Sequence, residues 1–526
     1  MEEEEKQGKF LKGALTLAVA GIICRVLGVI FRIPLTNIVG NFGMGLYQMV
    51  FPLYALLLIV SSAGVPVAIS KMIARKDAEP KKILKNALLL LGVIGLVLSA
   101  LFVIFSHSIA SLQGNKDVGV IYIAIAPSVL LVCIISAFRG YFQGLQNMVP
   151  TAVSQIIEQA VKMAAGITLA VLLKGNGVLW AVFGAILAVT ISELVALGYL
   201  IFIFFRKKKS TAKSPAAASP DSKENSFFDK KTMLEILKQS LPITAMASIF
   251  PLILVFDSLV IINLLKVAGR SGEEATKLFG IQSGAVHTLI NLPAVIGVAL
   301  ATAVVPAISA LLKADKQKDV RTHAALAIKL AALVSIFFVA FFLFFADTTI
   351  DLLYHSAFKE TPEHFQIATN LLRIECAVIL LMCLSQVFSA MLQAADRSKL
   401  PLLAIGIGGV AKVIFELIFI TTPMGIYAVS ISNVLCFGLA AVFNTIFALR
   451  RFKIKGKFMR VAVKVGALTL VHIVSLFVLY LIIPSGRFWL ILIGVICTII
   501  YIISIFFLNL FDKSERKVFN LCKGSK

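Results

Sequence analysis

Residues 84–106 read LKNALLLLGVIGLVLSALFVIFS. Beyond Lys85 the run carries no charged side chain, and a helix of this length matches the ~30 Å hydrocarbon core of a bilayer. The same pattern recurs along the chain. Apolar runs bounded by charge or by Gly/Pro clusters place spans at 10–32, 45–69, 84–106, 119–141, 149–173, 178–205, 240–264, 279–311, 323–346, 368–393, 399–421, 425–449, 459–483 and 488–511. Several are long enough to require tilt or a kink.

Composition agrees. Of 526 residues, 59% are hydrophobic and 15% charged, with a mean hydropathy of +0.96. Soluble domains lie near 45–50% apolar and 25% charged. The excess excludes a secreted protein, a cytosolic enzyme and a disordered scaffold. The expected fold class is all-α: a polytopic membrane protein of about 14 transmembrane helices, two six-helix lobes and two C-terminal helices.

Fifty Lys and Arg against 27 Asp and Glu give a net charge of +23. Their placement argues against a nucleic-acid partner. Loops on the side of the N-terminus hold 36 of these cations and the opposite loops 7, which puts both termini in the cytoplasm and requires an even number of spans. The seven cysteines include no Cys-x-x-Cys pair or Cys/His cluster, so neither disulfides nor a structural zinc is expected. The first apolar run contains Arg25 and no small-residue cleavage site, and reads as a retained first helix.

One linker stands out, RKKKSTAKSPAAASPDSKENSFFDKK from Arg206 to Lys231. Its composition cannot bury a core. It divides the chain into an N-lobe at 1–205, a connector at 206–232, a C-lobe at 233–450, and two further helices with a tail at 451–526. Internal echoes support the division. Val65-Pro66-Val67-Ala68-Ile69-Ser70 returns as Val305-Pro306-Ala307-Ile308-Ser309, and Phe10-Leu11-Lys12 resembles Ile236-Leu237-Lys238. An even number of helices per unit predicts repeats related by an axis along the membrane normal.

Ionisable side chains inside the spans are the functional candidates, because burying them in hydrocarbon costs ~2.5–3.5 kcal/mol each. Arg25 and Arg32 lie two turns apart on one face of the first helix. Glu158 with Lys162, and Lys412 with Glu416, are i,i+4 pairs in spans 5 and 11. Lys162 and Lys412 sit 12 and 11 residues beyond Pro150 and Pro401, as counterparts in the two repeats. Arg25, Arg32, Lys162, Lys412 and His287 are the expected substrate-binding residues. Glu158, Glu193, Asp257 and Glu416 are the expected ion-coupling residues. Arg139, at the end of span 4, reads as an interfacial anchor. No cofactor is expected beyond a coupling ion, H+ or Na+.

Phe10-Leu11-Lys12-Gly13, Arg25-Val26-Leu27-Gly28 with Arg32, Gly45-Leu46-Tyr47 and Gly64-Val65-Pro66-Val67-Ala68-Ile69-Ser70-Lys71 resemble the opening of SpoVB/YtgP-type polysaccharide transporters. These belong to the MOP superfamily, with the MurJ lipid II flippases and MATE drug exporters. In the second half, Asn291-Leu292-Pro293 through Val304-Val305-Pro306 resembles the MurJ-type eighth helix. The resemblance implies a V-shaped pair of six-helix lobes that moves lipid-linked saccharide by alternating access. It also implies a cavity role for Arg25. The arginine that the resemblance would put near His287-Thr288 is missing, which favours the SpoVB/YtgP branch over a MurJ-like diphosphate site.

The expected function is therefore a flippase for undecaprenyl-diphosphate-linked saccharide in the cell membrane. Its expected partners are the lipid-linked oligosaccharide, the phospholipid membrane and the cell-envelope synthesis machinery. A MATE-type cation exporter is the alternative. Lower in rank are a membrane-embedded glycan enzyme, for which no Asp-x-Asp or nucleophile motif appears, and a structural membrane partner.

Overall fold

The computed structural model describes residues 2–75, 79–211, 229–359, 361–482, 486–512 and 515. All regular structure among them is helical. The helices are α1 (Glu2–Ser62), α2 (Val65–Ile73), α3 (Pro80–Leu112), α4 (Val118–Gly144), α5 (Val149–Leu173), α6 (Val178–Thr211), α7 (Lys230–Ala247), α8 (Ile249–Val267), α9 (Gly272–Gly280), α10 (His287–Lys313), α11 (Gln317–Phe358), α12 (Pro362–Glu375), α13 (Ala377–Ala394), α14 (Lys399–Phe419), α15 (Tyr427–Phe452), α16 (Lys455–Ile482) and α17 (Arg487–Phe507).

Thirteen segments among the described residues are long and apolar enough to cross a membrane. The first, Leu15–Ile73, has 59 residues, about 88 Å of helix at 1.5 Å per residue and far more than one bilayer needs. It therefore covers the first two expected spans, and the total is fourteen crossings. Gly40 breaks α1 between them, at φ 70° and ψ −177°. That left-handed φ strains any residue with a Cβ.

Pro66 and Pro251 stand in the first turns of α2 and α8, just past the breaks that end α1 at Ser62 and α7 at Ala247. There a missing N–H costs nothing. Pro52, Pro293 and Pro306 do lie inside helices. At the expected linker, α6 continues to Thr211 and α7 begins at Lys230; residues 212–228 lie outside the described residues.

The chain divides into two compact units, Met1–Asn263 and Leu264–Lys526, with the boundary inside α8. In the first, α2, α3, α4, α6 and α7 share an apolar core that includes Ile69, Leu84, Ile135, Phe142, Leu200 and Ile236. Gly140 permits the close crossing of α4 over α2: a Cβ there would stand 2.9 Å from both Pro66 Cα and Ile69 Cβ. Small residues at such crossings let two backbones approach without lost contacts. A buried polar knot adds direction. Gln113 Nε2 donates to Met49 O (2.7 Å) and Ser258 Oγ (3.1 Å), and the Tyr122 hydroxyl donates to Gln113 Oε1 (2.8 Å). Asp229 caps α7 by accepting from the backbone N of Lys231 and from the Thr232 hydroxyl. The Thr232 hydroxyl holds the Asp229 carboxyl below its ordinary pKa.

In the second unit, α10, α11, α13, α15, α16 and α17 enclose a core that includes Ile328, Val387, Phe388, Met391 and Leu468. The two C-terminal helices pack on α11: Tyr501 of α17 donates to Leu333 O (2.7 Å), and His472 of α16 stacks on Phe337 with ring centroids 5.3 Å apart.

Candidate binding and coupling sites

In the first unit, α1, α4, α5 and α6 bring together most of the charged residues that the sequence singles out. Arg139 of α4 donates through Nη2 to Glu158 Oε2 (2.9 Å) and through Nε to Ser154 Oγ (3.0 Å) on α5. This corrects two expectations. Arg139 is not an interfacial anchor, and Glu158 does not pair with Lys162. A lysine four residues along the same helix competes poorly with a guanidinium from a neighbouring helix, which fixes the carboxylate together with Ser154.

Lys162 is left without an ion-pair or hydrogen-bond partner among the described residues, although Glu158, Arg32 and Glu193 all lie close enough to act on its charge. Among the described residues Arg32 also lacks a carboxylate partner. Its guanidinium carbon sits 5.3 Å from the centre of the Phe51 ring, where the π face attracts a cation. Glu193 is fully buried on α6. The Tyr54 hydroxyl donates to its Oε1, and its Oε2 has no partner among the described residues. Arg25 is exposed. Asp257 is buried on α8.

Two cations without carboxylate partners thus lie beside a carboxylate held by arginine and a second held by tyrosine. Such a group can attract an anion through Arg32 and Lys162. It can also exchange a proton or a small cation at Glu193.

The second unit has its own polar core. Lys412 Nζ and Glu416 Oε1 of α14 form the expected pair at 2.8 Å, with side chains 3% and 0% exposed. Ser432 of α15 donates to the same oxygen (2.7 Å). His287, an expected substrate-binding residue, faces a carboxylate. Its Nδ1 lies 3.3 Å from Oε1 of the fully buried Glu375. Glu375 also accepts from Asn433 Nδ2 and Ser430 Oγ, both at 2.9 Å, and from Gln282 Nε2 at 3.4 Å. A π-helical turn, Ile281–Val286, precedes His287 and turns Gln282 and His287 toward that carboxylate. Glu375 is the functional candidate that sequence reasoning missed. It lies seven residues into the apolar run 368–393, and its position inside that run was the available signal. Among the described residues no three His, Cys, Asp or Glu side chains cluster as metal ligands.

Residues 10–312 match the family described as Polysaccharide biosynthesis protein, and residues 283–418 match the MatE family. Stage V sporulation protein B of Bacillus subtilis (strain 168) is 34% identical over 354 residues, covering 66% of this chain and 67% of that protein. Lipid II flippase MurJ of the same organism is 25% identical over 78% of this chain and 77% of its own length. A solved structure of the lipid II flippase MurJ in an inward closed conformation superposes with a TM-score of 0.71 at 17% identity, covering 94% of this chain and 99% of that one. With its helical membrane fold and the length of the first match, this chain belongs to the polysaccharide biosynthesis protein family, within the MOP superfamily of transporters.

Proposed function

We propose that the protein moves a lipid-linked saccharide precursor of the cell envelope across the cytoplasmic membrane by alternating access. The observation that carries this reading is the pair of cations without carboxylate partners, Arg32 and Lys162, among apolar helices of a polysaccharide-biosynthesis chain. A diphosphate is the natural counter-charge for such a pair. Arg25, exposed two turns before Arg32, extends the same basic face along the helix. The curated relative named as a lipid II flippase supports the substrate class.

The driving force follows from charge. A lipid diphosphate carries about two negative charges, and each is worth ~2.3 kcal/mol per 100 mV when it moves outward. Any coupled H+ or Na+ would act at Glu193 or Asp257, both buried in the first unit. Glu416 is already neutralised by Lys412, and Glu158 by Arg139. The excess of Lys and Arg in loops on the side of the N-terminus supports cytoplasmic termini. Partners in envelope synthesis would supply and consume the lipid on the two sides.

The test is depletion of the protein in growing cells. Accumulation of a lipid-diphosphate saccharide on the cytoplasmic side, relieved by the wild-type chain but not by Lys162→Gln, is the expected result. Normal lipid-linked pools after depletion would refute it. A cation exporter is the second reading, favoured by the MatE match over residues 283–418 and by the buried Glu375. Efflux of organic cations abolished in Glu375→Gln, with unchanged lipid pools, would establish it instead.

A further inference from the structure

One polar pocket of the second unit shares no residue with either charged core. It forms where α11 and α16 begin and where the chain leaves α17, so three helix ends converge on it. Lys329, Lys457, Arg460 and Lys464 line it, against the two carboxylates Asp512 and Glu515. Four cations facing two carboxylates leave two positive charges.

The engaged pairs identify which cations are left over. Lys329, 1% exposed, donates to Glu515 Oε2 (2.6 Å) and to Leu510 O (2.7 Å). Lys464 donates to Asp512 Oδ1 (2.8 Å) and Asn509 O (3.1 Å). These bonds build a fixed floor. Among the described residues Lys457 has only the Thr322 hydroxyl, at 2.9 Å, and Arg460 is 67% exposed with its Nη1 3.9 Å from Asp512 Oδ2. The two remaining cations are the donors a phosphate would meet, since the Thr322 hydroxyl already donates to Lys318 O (3.0 Å).

The surroundings select the kind of phosphate. Met459, Val463, Leu470 and Val474 of α16 are 58–67% exposed and fall on one face of the helix, about a third of a turn round from Lys457, Arg460 and Lys464. An ion free in water has no use for that apolar track, whereas acyl chains would lie along it while the headgroup meets the basic pocket.

We propose that this pocket binds the phosphate of an anionic phospholipid, with Lys457 and Arg460 on the phosphate and the acyl chains along α16. The site is separate from the Arg32/Lys162 group and does not depend on the transport reading. Its role is to fasten the two C-terminal helices to α11 through a lipid.

The full chain is placed in nanodiscs of phosphatidylcholine with rising fractions of phosphatidylglycerol, and the unfolding midpoint is read by circular dichroism. In parallel, native mass spectrometry counts lipid retained on the folded protein alone. Lys457→Gln/Arg460→Gln is compared with Lys81→Gln/Lys238→Gln, which removes two exposed cations elsewhere. The expected result is stabilisation and lipid retention by phosphatidylglycerol in the wild type and the control. In the pocket variant both should need roughly thirtyfold more of the lipid, as loss of two phosphate-facing charges predicts. Lys457→Arg/Arg460→Lys, which keeps the charge, should restore the response. Equal responses of the pocket variant and the control would overturn the proposal. So would equal stabilisation by millimolar inorganic phosphate in pure phosphatidylcholine, which would mark an ion site.

Discussion

Lys412→Met isolates a single quantity, the worth of a cation beside a carboxylate shielded from water. The Nζ–Oε1 distance is 2.8 Å, the side chains are 3% and 0% exposed, and Ser432 is the other donor to that oxygen. Glu416 Oε2 has no partner among the described residues. Removing the lysine leaves a buried carboxylate with one hydroxyl donor, at a cost of about 3–5 kcal/mol. The double variant Lys412→Met/Glu416→Leu removes the stranded charge as well. Ser432 keeps its second contact, to Val429 O at 2.7 Å, so its lost acceptor costs at most ~1 kcal/mol. The double variant should therefore unfold within about 1 kcal/mol of wild type, and the coupling energy of the cycle should exceed about 2 kcal/mol. Reversible unfolding in SDS–detergent mixtures, followed by circular dichroism, measures all four corners. A double variant as unstable as the sum of its singles would mean that water reaches the pair and that its burial is wrong.

Three further outcomes follow from particular contacts. Arg139→Met removes the fixed partner of Glu158 and should cost about 1.5–3 kcal/mol. Because Lys162 lies one turn away on the same helix and can take over, Arg139→Met/Lys162→Met should cost more than the sum of the singles in the same unfolding assay. Gly140→Leu drives a Cβ to 2.9 Å from Pro66 Cα, a backbone atom, and should destabilise by about 1–3 kcal/mol, read as lost folded yield on size-exclusion chromatography. Lys464, hydrogen-bonded to Asp512, holds that carboxyl below its ordinary pKa. A lowered folded pKa stabilises at pH above the unfolded value of about 3.9 and is lost as pH falls through the lowered value. The stability difference between wild type and Asp512→Asn should thus be present, though small for so exposed a pair, at pH 7. It should begin to shrink as pH drops past about 3.9 and vanish once pH lies below the lowered folded value.

The membrane fold was legible because apolar length alone decides it. The run at 84–106 became α3, and the remaining expected spans likewise fall on apolar helices. The site was legible only in part, and the reason is geometric. Lys412 and Glu416 pair as expected because both partners lie on one helix, where spacing is sufficient information. Glu158 has the same spacing to Lys162, but its partner comes from α4. A local rule cannot report which neighbouring helix brings a stronger donor. Glu375 illustrates the same limit, since its partners come from the π-turn, α10 and α15. Gly40 and Gly140 were visible as letters, while their roles depend on a positive φ and on a close crossing that only the folded chain shows.

Transport itself gives the most direct test. The purified chain is reconstituted into liposomes that carry a fluorescent undecaprenyl-diphosphate saccharide, and a membrane-impermeant quencher reports the fraction on the outer leaflet over time. The account predicts protein-dependent movement that quickens with an outward-driving potential and is lost in Arg32→Gln/Lys162→Gln, although that variant reconstitutes normally. A labelled lipid that crosses no faster than in protein-free liposomes, or one that crosses equally well with both cations removed, would contradict it.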